Sequence, residues 1–308
     1  MKYLKLIRYQ NLLMLALMQL IFRYGFLNYQ NIPLALKDWQ YFLLVFATIM
    51  IAAGGYIINN IMDQATDNDN KPNKVVVGKG ISETNAYNLY FACTVLGVGT
   101  GFYLSNLIEK PGFASIFIII SATLYLYATS LKQMLLIGNI VVAFLLGFSV
   151  LIIGIFDLLP VINPGNKVVM AELFSILLDY ALFAFVINFI REIVKDLEDV
   201  NGDYNQGMNT LPIAFGISRT SKLVLILSLI PLVMVILYIK NYFFEFNLYI
   251  ATLYALICIV APLIYFAVKM ADAKKSKDFN HLSTVLKLII LFGLLSISVV
   301  TYNILHHA

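Results

Sequence analysis

Apolar runs of about 20 residues recur along the chain, and they limit its fold more than any other feature of the sequence. A helix needs roughly 20 apolar residues to cross a bilayer, whereas a helix of a soluble protein carries only an apolar stripe. We interpret nine runs as membrane spans: 10–28, 39–60, 86–107, 112–130, 134–156, 170–190, 221–239, 247–268 and 285–305. The sequence therefore predicts an all-α integral membrane protein with nine transmembrane helices. Because the connections between spans are short, we expect a single domain over residues 1–308.

Composition supports this interpretation. Of the 308 residues, 61% are hydrophobic and 12% are charged, whereas about 25% of residues are charged in a typical soluble domain. These values exclude a soluble globular protein, a disordered chain and a nucleic-acid-binding protein. The net charge of +4 therefore does not predict a nucleic-acid partner.

The 21 lysine and arginine residues are divided unevenly between the two sides of the nine-span topology. With the N-terminus inside, 16 of them fall on the inner side and 5 on the outer side. The positive-inside rule therefore predicts a cytoplasmic N-terminus. We expect a multi-pass protein of the cell inner membrane.

Acidic residues are concentrated in two short stretches. Eight of the 17 acids follow the second and the sixth predicted spans, both on the predicted cytoplasmic side. Each stretch aligns polar residues in one helical column. The first column is Asn59, Asp63 and Asp67 at positions i, i+4 and i+8, and the second is Asp196, Asp199 and Asp203 at positions i, i+3 and i+7. Two such columns suit a hard divalent cation such as Mg²⁺, which takes oxygen ligands from a few carboxylates and from substrate phosphates.

Basic residues accompany both columns: Lys71 and Lys74 after the first, Arg191 and Lys195 in the second stretch, and Lys132 after the fourth span. The acids can hold a metal ion that binds a diphosphate, and the neighbouring bases can bind the same diphosphate. Together they indicate a metal–diphosphate site. A simpler interpretation is that these charges are solvated loop residues and topology determinants. That interpretation does not explain two columns with helical spacing on the same side.

The two columns resemble the Asp-rich motifs of the UbiA family of intramembrane prenyltransferases, written NDxxDxxxD and DxxxD. Asn59, Asp63 and Asp67 match the first motif, and Asp199 and Asp203 match the second. The resemblance extends over nearly the whole chain, because the number of helices, the order of the motifs and the spacing between them agree.

Two smaller matches and two departures accompany these motifs. Arg8 and Asn11 resemble the family's Arg/Asn pair at the start of the first helix, and Tyr127 and Lys132 resemble its Tyr/Lys element after the fourth. That element is usually YxxxK, whereas four residues intervene here. The other departure is Asn60, where the first motif commonly has aspartate.

The resemblance implies Mg²⁺-dependent transfer of a prenyl group from a prenyl diphosphate to a lipophilic acceptor, in contact with membrane lipid. It implies Asp196, or alternatively Glu198, as the acceptor of the proton that the nucleophile loses. The implied metal ligands are Asn59, Asp63, Asp67, Asp199 and Asp203; the implied diphosphate ligands are Asn11, Lys71, Lys74, Arg191 and Lys195; the implied catalytic residues are Asp196, Lys132 and Tyr127.

The region 198–213 is most similar to archaeal-type digeranylgeranylglyceryl phosphate synthases. Those enzymes transfer a geranylgeranyl group to the free hydroxyl of geranylgeranylglyceryl phosphate. We therefore expect geranylgeranyl diphosphate as the donor and this compound, or a similar glycerol lipid, as the acceptor. Within the family, the alternative is an aromatic prenyltransferase of quinone biosynthesis, which alkylates a ring carbon of 4-hydroxybenzoate or dihydroxynaphthoate.

A membrane transporter is the alternative from another functional class. Transporters usually place charges near the bilayer midplane and show repeated halves with broken helices. Here the acids lie at the predicted cytoplasmic ends of the spans, and Asp179 is the clearest exception. The charge distribution therefore favours the enzyme.

Overall fold

The computed structural model describes residues 2–70, 72 and 75–306. Apart from an isolated bridge between Val77 and Ile81, the regular structure of these residues is helical, which confirms the predicted all-α fold. In chain order the α-helices are α1 (Lys2–Leu6), α2 (Tyr9–Gly25), α3 (Asp38–Met62), α4 (Gln64–Asn70), α5 (Glu83–Leu107), α6 (Ala114–Thr129), α7 (Ile137–Asp157), α8 (Lys167–Asn205), α9 (Leu211–Phe215), α10 (Ile217–Tyr238), α11 (Tyr249–Ala255), α12 (Ala261–Asp272) and α13 (Ser276–Leu305).

Eight helical segments of the described chain are long and apolar enough to cross a membrane. They are Tyr9–Tyr29, Asp38–Met62, Pro111–Thr129, Ile137–Val161, Lys167–Asn205, Ile217–Phe244, Tyr249–Asp272 and Ser276–Leu305. Each corresponds to one of the predicted spans. Two are clearly longer than predicted, because α8 continues past residue 190 and α13 begins before residue 285, both through polar sequence.

The remaining predicted span, 86–107, coincides with α5, a 25-residue helix that is not among these eight. Polar residues and glycines interrupt its apolar sequence. α5 packs along α3 so closely that a Cβ added to Gly97 would lie 2.6 Å from Ile51 Cγ1. Close packing through small residues is typical of helices in membranes. The ninth span stays a prediction.

α8 is the central element of the bundle. It is one continuous helix of 39 residues, about 58 Å long, and it packs against α7, α10 and α13. Its C-terminal part carries the second carboxylate column. The first column runs from the last turn of α3 into α4, with Asp63 at the junction of the two helices. α4 packs against α8, so both columns lie at the same end of the bundle.

The opposite end of the bundle contains a buried ion pair that joins α2 to α7. The guanidinium of Arg23 pairs with the carboxylate of Asp157, and the two side chains are 5% and 0% exposed. Arg23 also donates to the backbone oxygen of Leu36 at 2.7 Å, and the Leu36 amide donates to Asp157 Oδ1 at 3.0 Å. The ion pair thereby attaches the loop after α2 to the end of α7.

Candidate active site

A cavity of about 940 Å³ lies between α2, α3, α6, α7, α8 and α13. Both predicted carboxylate columns line it, so the structure brings together residues that are about 140 positions apart in the sequence. The residues of the columns that line the cavity are Asn59, Asp63, Asp67, Asp196, Asp199 and Asp203. The cavity is therefore the candidate active site.

The first column is hydrogen-bonded within itself and to one base. Asn59 Nδ2 donates to Asp63 Oδ2 at 2.6 Å, which is the contact expected between side chains one helical turn apart. The ammonium of Lys132 forms an ion pair with the same carboxylate. The predicted base Lys132 thus lies directly against the first column.

Lys132 is held in place by a tight turn between α6 and α7. The turn comprises Leu131–Gln133, and a Cβ added to Gly138 would lie only 2.7 Å from Lys132 Cα. Glycine at position 138 therefore allows the first turn of α7 to approach the backbone that carries the lysine. Burial lowers the pKa of Lys132 to about 8; the nearby charge of Asp203 opposes this decrease, and the charge of Arg8 adds to it.

The second column is attached to the first through Asn70, which sequence analysis did not identify. Asn70 Nδ2 donates to the backbone oxygen of Asp199 at 3.0 Å, and the Gly202 amide donates to Asn70 Oδ1 at 2.8 Å. A Cβ on Gly202 would overlap this side chain, so glycine is required for the approach. One feature of the sequence could have identified Asn70 as a site residue: it follows Asp67 by three residues and therefore lies on the same helical face.

Asp196 lies one turn before Asp199 on α8, deeper in the cavity than the rest of its column. Asn139, on the first turn of α7, donates from Nδ2 to Asp196 Oδ2 at 2.8 Å. Asp196 also lines the cavity, where it can meet a substrate. This geometry suits the predicted role of Asp196 as a proton acceptor.

Arg191 and Lys195 line the cavity and share one buried acid, Glu192, that sequence analysis did not assign to the site. Lys195 Nζ donates to the two oxygens of Glu192 at 2.8 and 3.0 Å, and one guanidinium nitrogen of Arg191 is 3.4 Å from the same carboxylate. The i,i+3 spacing between Glu192 and Lys195 was the sequence feature that could have predicted this ion pair. Glu192 holds both bases and offsets only part of their charge.

Asn11 also lines the cavity, where its Oδ1 accepts a hydrogen bond from Lys287 Nζ at 3.0 Å. Lys287 is on α13, and nothing in its local sequence pairs it with a residue 276 positions earlier. Arg8 lies at the start of α2, with its guanidinium carbon 5.4 Å from the centre of the Tyr56 ring. These residues make the α2–α13 side of the cavity basic.

Asn60, which departs from the family motif, has a structural contact. Its Nδ2 donates to the backbone oxygens of Leu6 and Tyr56 at 3.1 and 2.7 Å, which joins α1 to α3. An ionised carboxylate cannot donate these bonds. Lys71 and Lys74, predicted to bind diphosphate, lie outside the described residues.

Beyond its polar end, the cavity is mainly apolar. Along α3 its lining extends from Asp63 to Thr48, which is 15 residues or about 22 Å. Tyr127, the third predicted catalytic residue, lies half-buried between the polar and apolar parts. The apolar lining includes Ile51, Phe117, Ile120, Leu145, Phe148 and Ile152.

The side chains of the two columns fit a hard divalent cation. All of them offer oxygen, and Asn59 Oδ1 is buried with no hydrogen-bond partner in the described chain. Among the described residues, no three histidine, cysteine and carboxylate side chains form a closed metal centre. A cation held here would take further ligands from a substrate, which is how Mg²⁺ is commonly bound with phosphates.

Comparison with known proteins agrees with these features. The sequence matches the UbiA prenyltransferase family over residues 16–302. A digeranylgeranylglyceryl phosphate synthase of Methanobrevibacter smithii is 28% identical over 268 residues, which cover 87% of this chain and 89% of that protein.

Solved structures share the fold. A digeranylgeranylglyceryl phosphate synthase structure is 26% identical, with a TM-score of 0.62 over 97% of both chains. A UbiA homologue from Archaeoglobus fulgidus bound to DMAPP and Mg²⁺ is 17% identical, with a TM-score of 0.59 over 97% of this chain and 99% of that one. Because the family match spans nearly the whole sequence and eight helices of the described residues are long and apolar enough to cross a membrane, the chain is a multi-pass membrane protein of the UbiA prenyltransferase family.

Proposed function

We propose that this prenyltransferase transfers a geranylgeranyl group from geranylgeranyl diphosphate to the free hydroxyl of geranylgeranylglyceryl phosphate. The observation that carries the proposal is the meeting of two carboxylate columns at one end of a cavity whose remaining lining is mainly apolar. The polar end suits a diphosphate with its cation, and the apolar part suits a prenyl chain. The names of the similar synthases support this donor and acceptor.

The proposed cation is Mg²⁺, held by Asn59, Asp63, Asp67, Asp199 and Asp203. When bound, Mg²⁺ offsets the negative charge that develops on the diphosphate leaving group. The hard oxygen donors of both columns support this choice. So does the Mg²⁺ bound with DMAPP in the Archaeoglobus fulgidus homologue.

The bases around the columns bind and orient the diphosphate. Lys132 is placed against Asp63, where its ammonium reaches both the first column and a leaving group bound beside it. Arg191 and Lys195 supply donors from α8, and the buried Glu192 fixes their positions. Asn11, Lys71 and Lys74 stay predictions as further diphosphate ligands.

The reaction breaks the bond between C1 of the prenyl group and the diphosphate oxygen, and the electron pair leaves with the diphosphate. The apolar cavity keeps water from the allylic cation. Tyr127 lies beside the polar end, where an aromatic face stabilises positive charge. The acceptor hydroxyl oxygen then bonds to C1, and its proton passes to Asp196, which Asn139 orients.

An acceptor screen tests the proposed function. Purified protein is incubated with Mg²⁺, radiolabelled geranylgeranyl diphosphate and, in separate reactions, geranylgeranylglyceryl phosphate, 4-hydroxybenzoate or dihydroxynaphthoate. We expect label in the glycerol lipid and none in the aromatic compounds. Label only in an aromatic product would contradict the proposal and assign the protein to quinone biosynthesis.

We also propose that residues 1–308 form one domain in the cell inner membrane, with the N-terminus and the active site on the cytoplasmic side. The concentration of basic residues on the side of the carboxylate columns supports this orientation. Ser82 and Lys110 are exposed at opposite ends of α5. In intact cells, an impermeant maleimide should label Lys110→Cys and not Ser82→Cys; the opposite result would invert the topology.

A further inference from the structure

Lys287 is an ionisable residue within an apolar stretch of α13, about 16 Å from the start of the helix. Its side chain is half-buried and lines the active-site cavity. Ionisable residues inside membrane spans are costly and usually functional. The hydrogen-bond partner of Lys287 is the neutral amide of Asn11, and no carboxylate of the described chain forms an ion pair with it. Its positive charge is therefore not offset by an acid.

Lys287 belongs to a group of bases that we call the basic cluster: Arg8, Arg191, Lys195 and Lys287. Arg191 is close enough for its charge to act on the ammonium of Lys287. One acid, Glu192, lies within the cluster, and it pairs with Lys195 and Arg191. Glu192 is shared by two of the four bases, so the cluster keeps an excess of positive charge that attracts an anion.

Lys287 lies on a different helix from both carboxylate columns, and Arg191 lies away from the proposed metal ligands of the second column. Arg191 precedes Asp199 by eight residues on α8, which is about 12 Å along the helix axis. Lys287 and Asn11 lie on α13 and α2, whereas the first column lies on α3 and α4. A diphosphate held by the columns, their cation, Lys132, Arg191 and Lys195 leaves Lys287, on the α2–α13 side of the cavity, for a second anion.

We propose that Lys287 binds the phosphate of the acceptor, so that the enzyme selects a phosphorylated glycerol lipid over a neutral one. This inference rests on the proposed function, in which the acceptor carries a phosphate. Lysine supplies a compact point charge that suits a phosphate without requiring a fixed planar geometry. Asn11 orients the ammonium through Oδ1.

The proposal is tested by combining one mutation of Lys287 with one change of the acceptor, the removal of its phosphate. Purified wild-type enzyme and Lys287→Gln are assayed with geranylgeranyl diphosphate and either geranylgeranylglyceryl phosphate or its dephosphorylated form, geranylgeranylglycerol. Loss of a hydrogen bond to a charged group predicts that Lys287→Gln raises KM for the phosphorylated acceptor about 10- to 100-fold. KM for the donor should not change. With geranylgeranylglycerol, the two enzymes should have equal KM values.

Two further variants make the result specific. Lys287→Arg keeps the charge and should restore most of the affinity for the phosphorylated acceptor. Lys269→Gln removes an exposed lysine from α12 and should behave as wild type with both acceptors. An unchanged KM for the phosphorylated acceptor in Lys287→Gln would overturn the inference and leave the proposed function intact. An equal increase in KM for both acceptors would have the same meaning. Absence of wild-type transfer to either glycerol lipid would overturn the proposed function and this inference together.

Discussion

The side chain of Asn70 lies across the backbone of α8 at Gly202, accepting a hydrogen bond from the Gly202 amide at 2.8 Å. Because Asn70 also donates to the Asp199 backbone oxygen, this contact joins the helix of the first column to the helix of the second. The distance between the two columns therefore depends on a pair of residues that bear no charge.

Gly202→Ala should separate the columns. The added methyl group overlaps the Asn70 amide, so this side chain has to leave its position and its two hydrogen bonds to α8 are lost. We expect prenyl transfer to fall at least about tenfold, because misplacement of a catalytic group by about 1 Å can cost up to 100-fold in rate. The matched control is Gly99→Ala on α5, where an added Cβ meets no atom within 4 Å. Equal activity of the two variants would show that the contact does not position the site.

Substitution of the column residues should abolish activity without preventing folding. Asp63→Ala, Asp67→Ala, Asp199→Ala and Asp203→Ala each remove an oxygen ligand proposed for Mg²⁺, so Mg²⁺-dependent release of diphosphate should be lost. Asp272→Ala, at the exposed end of α12, is the control. Full activity in any two of the four variants would overturn the metal-site assignment.

Asn139→Ala should affect the chemical step rather than donor binding. Asp196 loses the donor that orients its carboxylate, so proton acceptance becomes less efficient. We expect kcat to fall about tenfold or more with little change in the KM for geranylgeranyl diphosphate. Steady-state kinetics measure both constants, and Asn106→Ala on exposed α5 sequence is the control. A change confined to the donor KM would contradict the role given to Asp196.

Arg23→Met should destabilise the fold and spare the chemistry. The substitution leaves the buried carboxylate of Asp157 without its counterion, which typically costs about 3–5 kcal/mol. Thermal unfolding in detergent should show a lower Tm, whereas the exposed control Lys110→Met should not. The double variant Arg23→Met/Asp157→Leu should recover much of the loss. Activity per folded molecule should stay near wild type, because the ion pair lies at the end of the bundle away from the columns.

Much of this architecture could be predicted from local sequence. Eight apolar segments and the family were predicted correctly, because both depend on runs and spacings within one helix. The columns could be predicted for the same reason: Asn59, Asp63 and Asp67 share a face whatever the helix contacts. The predicted span on α5 has the weakest support, because the glycines that allow its close packing on α3 lower the mean hydropathy of its sequence.

The contacts that connect helices could not be predicted from sequence. Lys287 bonds to Asn11 across 276 residues, and Asn70 bonds to α8 across about 130. Helical periodicity reports which residues share a face, but not which face of another helix they meet. The contact of Asn60 with α1 also could not be predicted from helical periodicity. This contact explains why an amide can replace the usual acid at position 60.

The continuity of α8 has a consequence for how this sequence can vary. Asp196, Asp199 and Asp203 are carried on one unbroken helix, so their mutual orientation depends on the number of residues between them. Inserting or deleting one residue in this stretch would rotate the proton acceptor by about 100° relative to the proposed metal ligands. Loops between helices tolerate changes of length far better. The number of residues between Asp196 and Asp203 should therefore stay constant among related enzymes.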